Sequence, residues 1–221
     1  MDTLRLFTYK LTHDTGFAPC PFHGYLTLAN CKPLIRKHKN IGDWIAGFTS
    51  KKLKIRGIGD EVGSERLIYL MQVTEKLTYA EYWNDERFKN KIPHNLNETC
   101  LLTDKARDNI YEPSVDAING FNQIKNSYHE LPEMARDLSG KYVLVSKVFY
   151  YFGASALVID QDIRPKVPKT QSAHGVRTHD SELAAKFIKH ITNKYKVGIY
   201  DHPIKWDSSD ESWRDDENYI K

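Results

Sequence analysis

Residues 14–36, DTGFAPCPFHGYLTLANCKPLIR, constrain the fold more than any other stretch, because Pro19, Pro21 and Pro33 with Gly16 and Gly24 forbid one long helix there. Prolines fix φ and glycines accept positive φ, so a stiff, tightly turned loop is expected. The loop is also aromatic. Phe17, Phe22 and Tyr25 lie within it, and IGDWIAG at 41–47 adds Trp44 just after a Gly42-Asp43 turn. Such rings stack on a planar base while Lys32, Arg36, Lys37 and Lys39 neutralise phosphate, the division of labour used on unpaired nucleotides. The stretch therefore reads as part of a nucleotide-directed domain. For Trp44 and Phe22, plain core packing is the competing reading, since most large aromatics are buried.

Charge supports this locally. The net charge is only +3, yet residues 32–56 hold eight Lys or Arg against Asp43 alone. Acid gathers at the other end, where Asp207, Asp210, Glu211, Asp215, Asp216 and Glu217 face Arg214 alone. A basic strip on a nearly neutral chain suits local attraction to phosphate rather than blanket coating of DNA, and an acidic tail over 207–221 carries the charge to fold back on it. With 221 residues, 40% hydrophobic and 28% charged, one elaborated domain over 1–221 is expected. No run approaches the roughly eighteen apolar residues of a membrane span. MDTLRLFTYKLT alternates like a strand rather than a secretion signal, and three cysteines form no disulfide framework. A cytoplasmic protein with no membrane partner is expected.

Alternation predicts strands over 5–11, 43–49 and 66–74. Thr78, with Glu81 three residues on, makes a capping box before a short helix whose Tyr79, Tyr82 and Trp83 share a face. Residues 89–127 carry turn punctuation and little period, which predicts an irregular excursion with short helices at most. A helix is expected over 130–138, stopped by Gly140, then a strand over 142–152. A last helix is capped by Asp180 or Ser181, with Leu183, Phe187, Ile188 and Ile191 on one stripe. Glycine-rich 55–64 reads as a hairpin tip, placed to act as a lid. Few helices and non-consecutive strands predict an α+β fold around a curved mixed sheet or small β-barrel with flanking helices, not alternating βαβ units.

The order of GFAPCPFHG, TLANCKPLIR, IGDWIAG, RLIYLMQVTEKLTYAEYW, DNIY and YYFG resembles the second nucleotide-modification-associated domain family over nearly the whole chain. The resemblance implies association with prokaryotic and phage systems that make, sense or restrict modified DNA bases, and no one activity. GDWIAGF, followed by a strand ending in VTE and a short aromatic helix, is also similar to the EVE, ASCH and PUA-like barrels. That similarity implies capture of a modified base in a pocket and, in some ASCH members, hydrolysis.

The candidate ligand pocket sets Phe17, Phe22 and His23 on the stiff loop against Trp44 as an opposing wall, with Lys32 and Arg36 on phosphate. Stacking contributes about 1–3 kcal/mol per base but is blind to its identity. Asp14, Asp43, Asn109 and Tyr111 are the candidates for reading polar edges. In an enzyme, Asp14 or Asp108 is the expected general base, with Lys32 or Tyr111 stabilising developing charge and His23 and Glu75 as further acid–base candidates. Cys20-x-x-His23, with Cys31 and His13, counts four zinc ligands on paper, but the flanking prolines and the lack of a second compact pair argue against a metal site. His129, His174, His179 and His190 are scattered. No P-loop, GxGxxG, deaminase or GxSxG pattern occurs, and no cofactor is called for.

The favoured function on these grounds is binding or sensing of a modified base or nucleotide in a DNA-modification or defence system. The first alternative is an enzyme that hydrolyses or transfers a group on a modified nucleobase or nucleotide. The second is an accessory subunit whose basic strip docks on a protein partner, a reading that exposure of Tyr79, Tyr82, Trp83, Trp206 and Trp213 would favour.

Overall fold

A computed structural model of the chain describes residues 4–53, 65–94, 96–97, 100–117, 119–170 and 172–221. The expected hairpin tip at 55–64 lies outside the described residues. The elements in chain order are β1 (Leu6–Leu11), β2 (Leu26–Leu28), α1 (Pro33–His38), β3 (Trp44–Thr49), β4 (Leu67–Gln72), β5 (Glu75–Thr78), α2 (Tyr79–Asn84) and α3 (Leu102–Lys105). They continue with β6 (Tyr111–Pro113), β7 (Phe121–Gln123), α4 (Leu131–Leu138), β8 (Tyr142–Ser146), β9 (Val148–Tyr151), β10 (Val176–Thr178), α5 (Ser181–Lys194) and β11 (Gly198–Ile199).

Six strands form one mixed sheet in the order β10-β1-β3-β4-β9-β11, and β2-β8-β5 and β6-β7 form two smaller sheets. β1 runs parallel to β3, whereas β3, β4 and β9 are antiparallel neighbours. The fold is α+β. Among the described residues no barrel closes, because β10 and β11 are opposite edges of an open sheet, and the small-barrel alternative gives way. With three and two residues, those edges offer too few ladder bonds to pair across a closure.

Both faces of the large sheet are covered, which is why its strands are almost wholly buried rather than alternating. Along β3, Trp44, Ala46 and Phe48 pack in one cluster with Phe187, Ile188 and Ile191 of α5, while Ile45 joins Tyr9, Leu11 and Tyr69 in another. α5 starts where its cap predicts, the Asp180 carboxylate accepting from the N–H groups of Glu182 and Leu183 at 3.0 Å each. The Thr78–Glu81 capping box also forms. Tyr79 and Tyr82 turn inward from α2, and Trp83 is half-buried.

Other segments differ from expectation for local reasons. The single strand predicted over 142–152 is two, because the Ser146 hydroxyl takes the Val148 N–H at 3.1 Å and β8 and β9 part into different sheets. β5 continues from β4 directly into α2, and the excursion at 89–127 contains α3 and the β6–β7 hairpin. The acidic tail packs on the proline-rich loop. Trp206 stacks on Phe22 with ring centroids 5.2 Å apart, and Asp216 accepts from the His23 N–H at 2.6 Å, clamping the proline-rich loop. Among the described residues, no helix is long and apolar enough to cross a membrane.

Candidate functional site

β2 ends at Leu28 and α1 opens on Pro33, whose missing N–H and fixed φ suit a first helical turn. The residues between must redirect the chain, and Cys31 and Lys32 do so at φ 57° and 38°. Left-handed backbone at non-glycine residues costs roughly 1–2 kcal/mol each and gathers at working sites. Here both backbone groups of Cys31 are tied. Its N–H donates to Asp137 Oδ1 at 2.8 Å, and its carbonyl accepts from Arg36 Nε at 2.8 Å.

The Cys31 sulfur lies 3.4 Å from His129 Nε2, and His129 Nδ1 lies 2.6 Å from Asp137 Oδ2. Thiol, imidazole and carboxylate form a triad. Asp137 occupies the inner face of α4 three residues after buried Met134, a place where an apolar side chain is the usual choice. Its carboxylate is instead satisfied by Cys31, by His129 and by the Tyr111 hydroxyl, which donates at 2.9 Å. Arg36, fully buried, donates Nη2 to the Asp137 carbonyl at 2.7 Å and stands 3.8 Å from Oδ1. Gly140 leaves room for it, since a Cβ there would come within 2.5 Å of Arg36 Nη1.

His129 is aimed by its own loop. Asn126 Oδ1 accepts from the N–H groups of Tyr128 and His129 at 3.0 and 2.7 Å, and Gln123 Nε2 donates to the His129 carbonyl at 2.7 Å. The Phe17 ring meets the imidazole edge-on, 5.0 Å between centroids. Burial opposes the charged form of His129, but hydrogen bonds to Asp137 and Cys31 outweigh it and raise its pKa to about 9. The triad faces a cleft of about 320 Å³ whose walls include Tyr9, Phe17, Tyr128 and Lys32. The cleft continues past Lys32 into a wider hollow of about 680 Å³ that Glu133 and Arg136 also line. A nucleophile, a base and the base's orienting group beside an accessible cavity can carry out nucleophilic catalysis.

The model of the nucleotide modification associated domain 2 family matches residues 3–210. The chain belongs to this family. No curated protein and no solved structure matches it. Cys31, His129 and Asp137 all fall within the match, so the triad is part of the nucleotide modification associated domain itself.

Of the residues singled out from sequence, Phe17 and Lys32 line this domain's cleft, and Tyr111 holds Asp137. His13 and Cys31, counted among possible zinc ligands, and His129 line it too, whereas the remaining candidates lie elsewhere. Phe22 is buried against Trp206, while Asp43 and Trp44 line a separate hollow, with Asp43 Oδ1 2.5 Å from Arg5 Nε. Arg36 is fully engaged inside, with Nη1 donating to the Tyr79 hydroxyl at 2.6 Å and to the Tyr142 carbonyl at 2.9 Å. Asn109 donates to the carbonyls of Tyr82 and Phe88, at 3.2 and 3.4 Å. Asp14 accepts from the Tyr151 hydroxyl at 2.7 Å and the Ile204 N–H at 3.1 Å, and burial raises it to about 6. His23 sits against the Thr103 carbonyl, lowered to about 4 by burial and the Lys91 and Arg107 charges. Asp108 is sealed in by the hydroxyls of Thr27 and Tyr82, at 2.6 and 2.7 Å.

Sequence reasoning did not assemble Cys31, His129 and Asp137. Two signals point to them in retrospect: a cysteine just before the proline that opens a helix, and a carboxylate on the apolar face of α4.

Proposed function

We propose that this protein is a cysteine-dependent enzyme that hydrolyses or transfers an acyl-type group on a modified nucleobase or nucleotide. Cys31 is the nucleophile, His129 the general base and acid, and Asp137 the group that orients His129. The triad opening on the cleft is the observation that carries this reading. His129 Nε2 holds the proton of the thiol, and the sulfur, as thiolate, bonds to the carbonyl carbon. The tetrahedral species then collapses, breaking the bond to an amine or alcohol, which leaves with the proton from His129. Water or a second hydroxyl or amine attacks the thioester, loses its proton through His129, and frees the thiol. Asp137 keeps the proton on Nδ1, so that Nε2 faces sulfur. The raised His129 pKa supports an imidazolium beside the sulfur at neutral pH, the setting in which thiols act as nucleophiles.

Family membership supports a role in nucleotide modification systems, with prokaryotic or phage DNA modification or defence as the setting we infer. A thiol that must stay reduced suits the cytoplasm. Capture or sensing of a modified base without turnover is the second reading, supported by the Tyr9, Phe17 and Tyr128 rings and by Lys32 along the same cleft. Docking as an accessory subunit has less support, because Tyr79, Tyr82, Trp206 and Trp213 are buried.

The test is incubation with DNA and free nucleotides bearing acylated or amide-substituted bases, with mass spectrometry of bound and released fractions. A mass change that disappears in Cys31→Ala supports the enzyme. An enriched but unchanged species supports the reader.

A further inference from the structure

We infer that the cleft takes an anionic substrate, the Lys32 ammonium and the Arg136 guanidinium receiving a phosphate or carboxylate on the molecule whose carbonyl meets Cys31. This deepens the reading of Cys31 as nucleophile and rests on it.

Most cations near the cleft already have protein partners. Arg36 serves four protein acceptors, Lys76 Nζ donates to the carbonyls of Lys37 and Lys39 at 3.0 and 2.7 Å, and Lys39 Nζ lies 3.8 Å from the Phe7 ring centroid. Lys32 differs. It follows the nucleophile in the chain and lines both the cleft and the hollow, and its ammonium has neither hydrogen bond nor ion pair among the described residues. Its ammonium stands over the Tyr9 ring, 5.3 Å from the centroid. Arg136 lines the hollow and likewise has no ion pair among the described residues. The nearby acid, Glu133, is turned to the Glu130 N–H at 3.0 Å, where it caps α4.

Two cations thus converge on one cavity without a counter-ion among the described residues. Burial lowers Lys32 to about 8, the thiol opposes that shift, and the Arg136 charge adds to it. An entering anion relieves both the desolvation and the like-charge repulsion, and charge-assisted hydrogen bonds to phosphate or carboxylate are among the strongest a site can make. Phe17 and Tyr128, with ring centroids 5.1 Å apart, form a wall for a planar group beside it. The chemistry fits a base carrying phosphate or an acyl group ending in carboxylate.

The experiment compares alkylation of Cys31 by iodoacetate and by iodoacetamide, reagents of similar size that differ in charge. It uses the full chain, with the labelled site confirmed by peptide mass spectrometry. The ratio of the two rates is expected to exceed that of a free thiol by about tenfold in the wild type. It should persist in Lys32→Arg, fall several-fold in Lys32→Gln or Arg136→Gln, and fall furthest in the double variant. Arg136 is exposed, so its substitution guards against a folding defect at the strained Lys32 position. A wild-type ratio equal to that of a free thiol overturns the anion inference and leaves the nucleophile standing. Labelling of Cys31 by both reagents no faster than a free thiol overturns the nucleophile itself.

Competition then separates the sources. Slowing of iodoacetamide labelling by millimolar deoxynucleoside 5′-monophosphates, but not by nucleosides, assigns the anion to phosphate, whereas slowing by glutarate assigns it to an acyl carboxylate. Protection by neither overturns the docking inference even where the reagent ratio is high.

Discussion

Cys20 and Cys31 belong to the same loop-strand-turn segment, and each lies near a buried aspartate that receives a tyrosine hydroxyl. Tyr111 donates to Asp137 at 2.9 Å beside Cys31, and Tyr82 donates to Asp108 at 2.7 Å on the side of Cys20. What meets the sulfur differs. Cys31 touches an imidazole and borders a cleft, whereas Cys20 is sealed, 3.3 Å from Lys91 Nζ, and burial pushes its thiol up to about 12. Lys91 also donates to Thr27 Oγ1 at 3.0 Å, and Thr27 donates to Asp108, so that network is closed on itself. Similar residue types make the proposed reactive centre in one place and a polar staple in the other. The deciding factors are an imidazole that can take and return a proton and a path for substrate.

Exchanging the thiols tests the contrast most severely. Cys31→Ser is expected to abolish the fast phase of iodoacetamide labelling of the native protein, leaving the slower reaction of the partly exposed Cys100, and to lower turnover by about 10³-fold or more. Cys20→Ser should change either quantity in the folded protein by no more than about twofold. Comparable losses in both variants would erase the distinction.

Lys91→Met attacks the sealed network. It leaves Asp108 buried without its compensating charge, and urea unfolding should show a loss of about 3 kcal/mol, while Cys31 labels at its normal rate in the molecules that remain folded.

pH sharpens the other side. The folded His129 pKa of about 9 lies above the ordinary 6.5, so its stabilisation is fully present below pH 6.5 and is lost as pH rises through about 9. Allowing for solvent in the cleft, this is on the order of 2 kcal/mol. The gap in unfolding free energy between wild type and His129→Gln should narrow by that amount across the window. A gap that stays constant would mean that the imidazole is neutral in the folded protein.

The smallest effects come from removing the tyrosine hydroxyls. Tyr111→Phe and Tyr82→Phe should each cost about 1 kcal/mol in unfolding experiments. Only Tyr111→Phe should slow Cys31 labelling, and only a few-fold, because only that hydroxyl helps to hold the triad's carboxylate.

Much of the framework was legible because local rules govern it. The strand over 5–11, the Thr78–Glu81 capping box and α5 all depend on spacing within one element, and each formed, with Ala184 rather than Leu183 buried beside Phe187, Ile188 and Ile191. β10 and β11 were not, since strands of three and two residues carry too little pattern to register. The stacking pocket combined Phe17, Phe22 and Trp44 on chemistry alone, but the alternation of β3 sends Trp44 toward α5 and the C-terminal segment covers Phe22 with Trp206. The triad escaped for a related reason. Cys31 and His129 are separated by 98 positions, and His129 follows a stretch whose conformation is set by Asn126 side-chain bonds rather than by any period. Asp137 was readable as a member of a helix, but not as the partner of a histidine eight residues earlier.

Asp137 holds the Cys31 backbone with one oxygen and the His129 ring with the other. The proposed nucleophile and base therefore hang from a single pivot, although they arrive on separate turns of the chain. One carboxylate thus sets the spacing of both groups, so that any displacement of Asp137 is shared by the two rather than opening a gap between them.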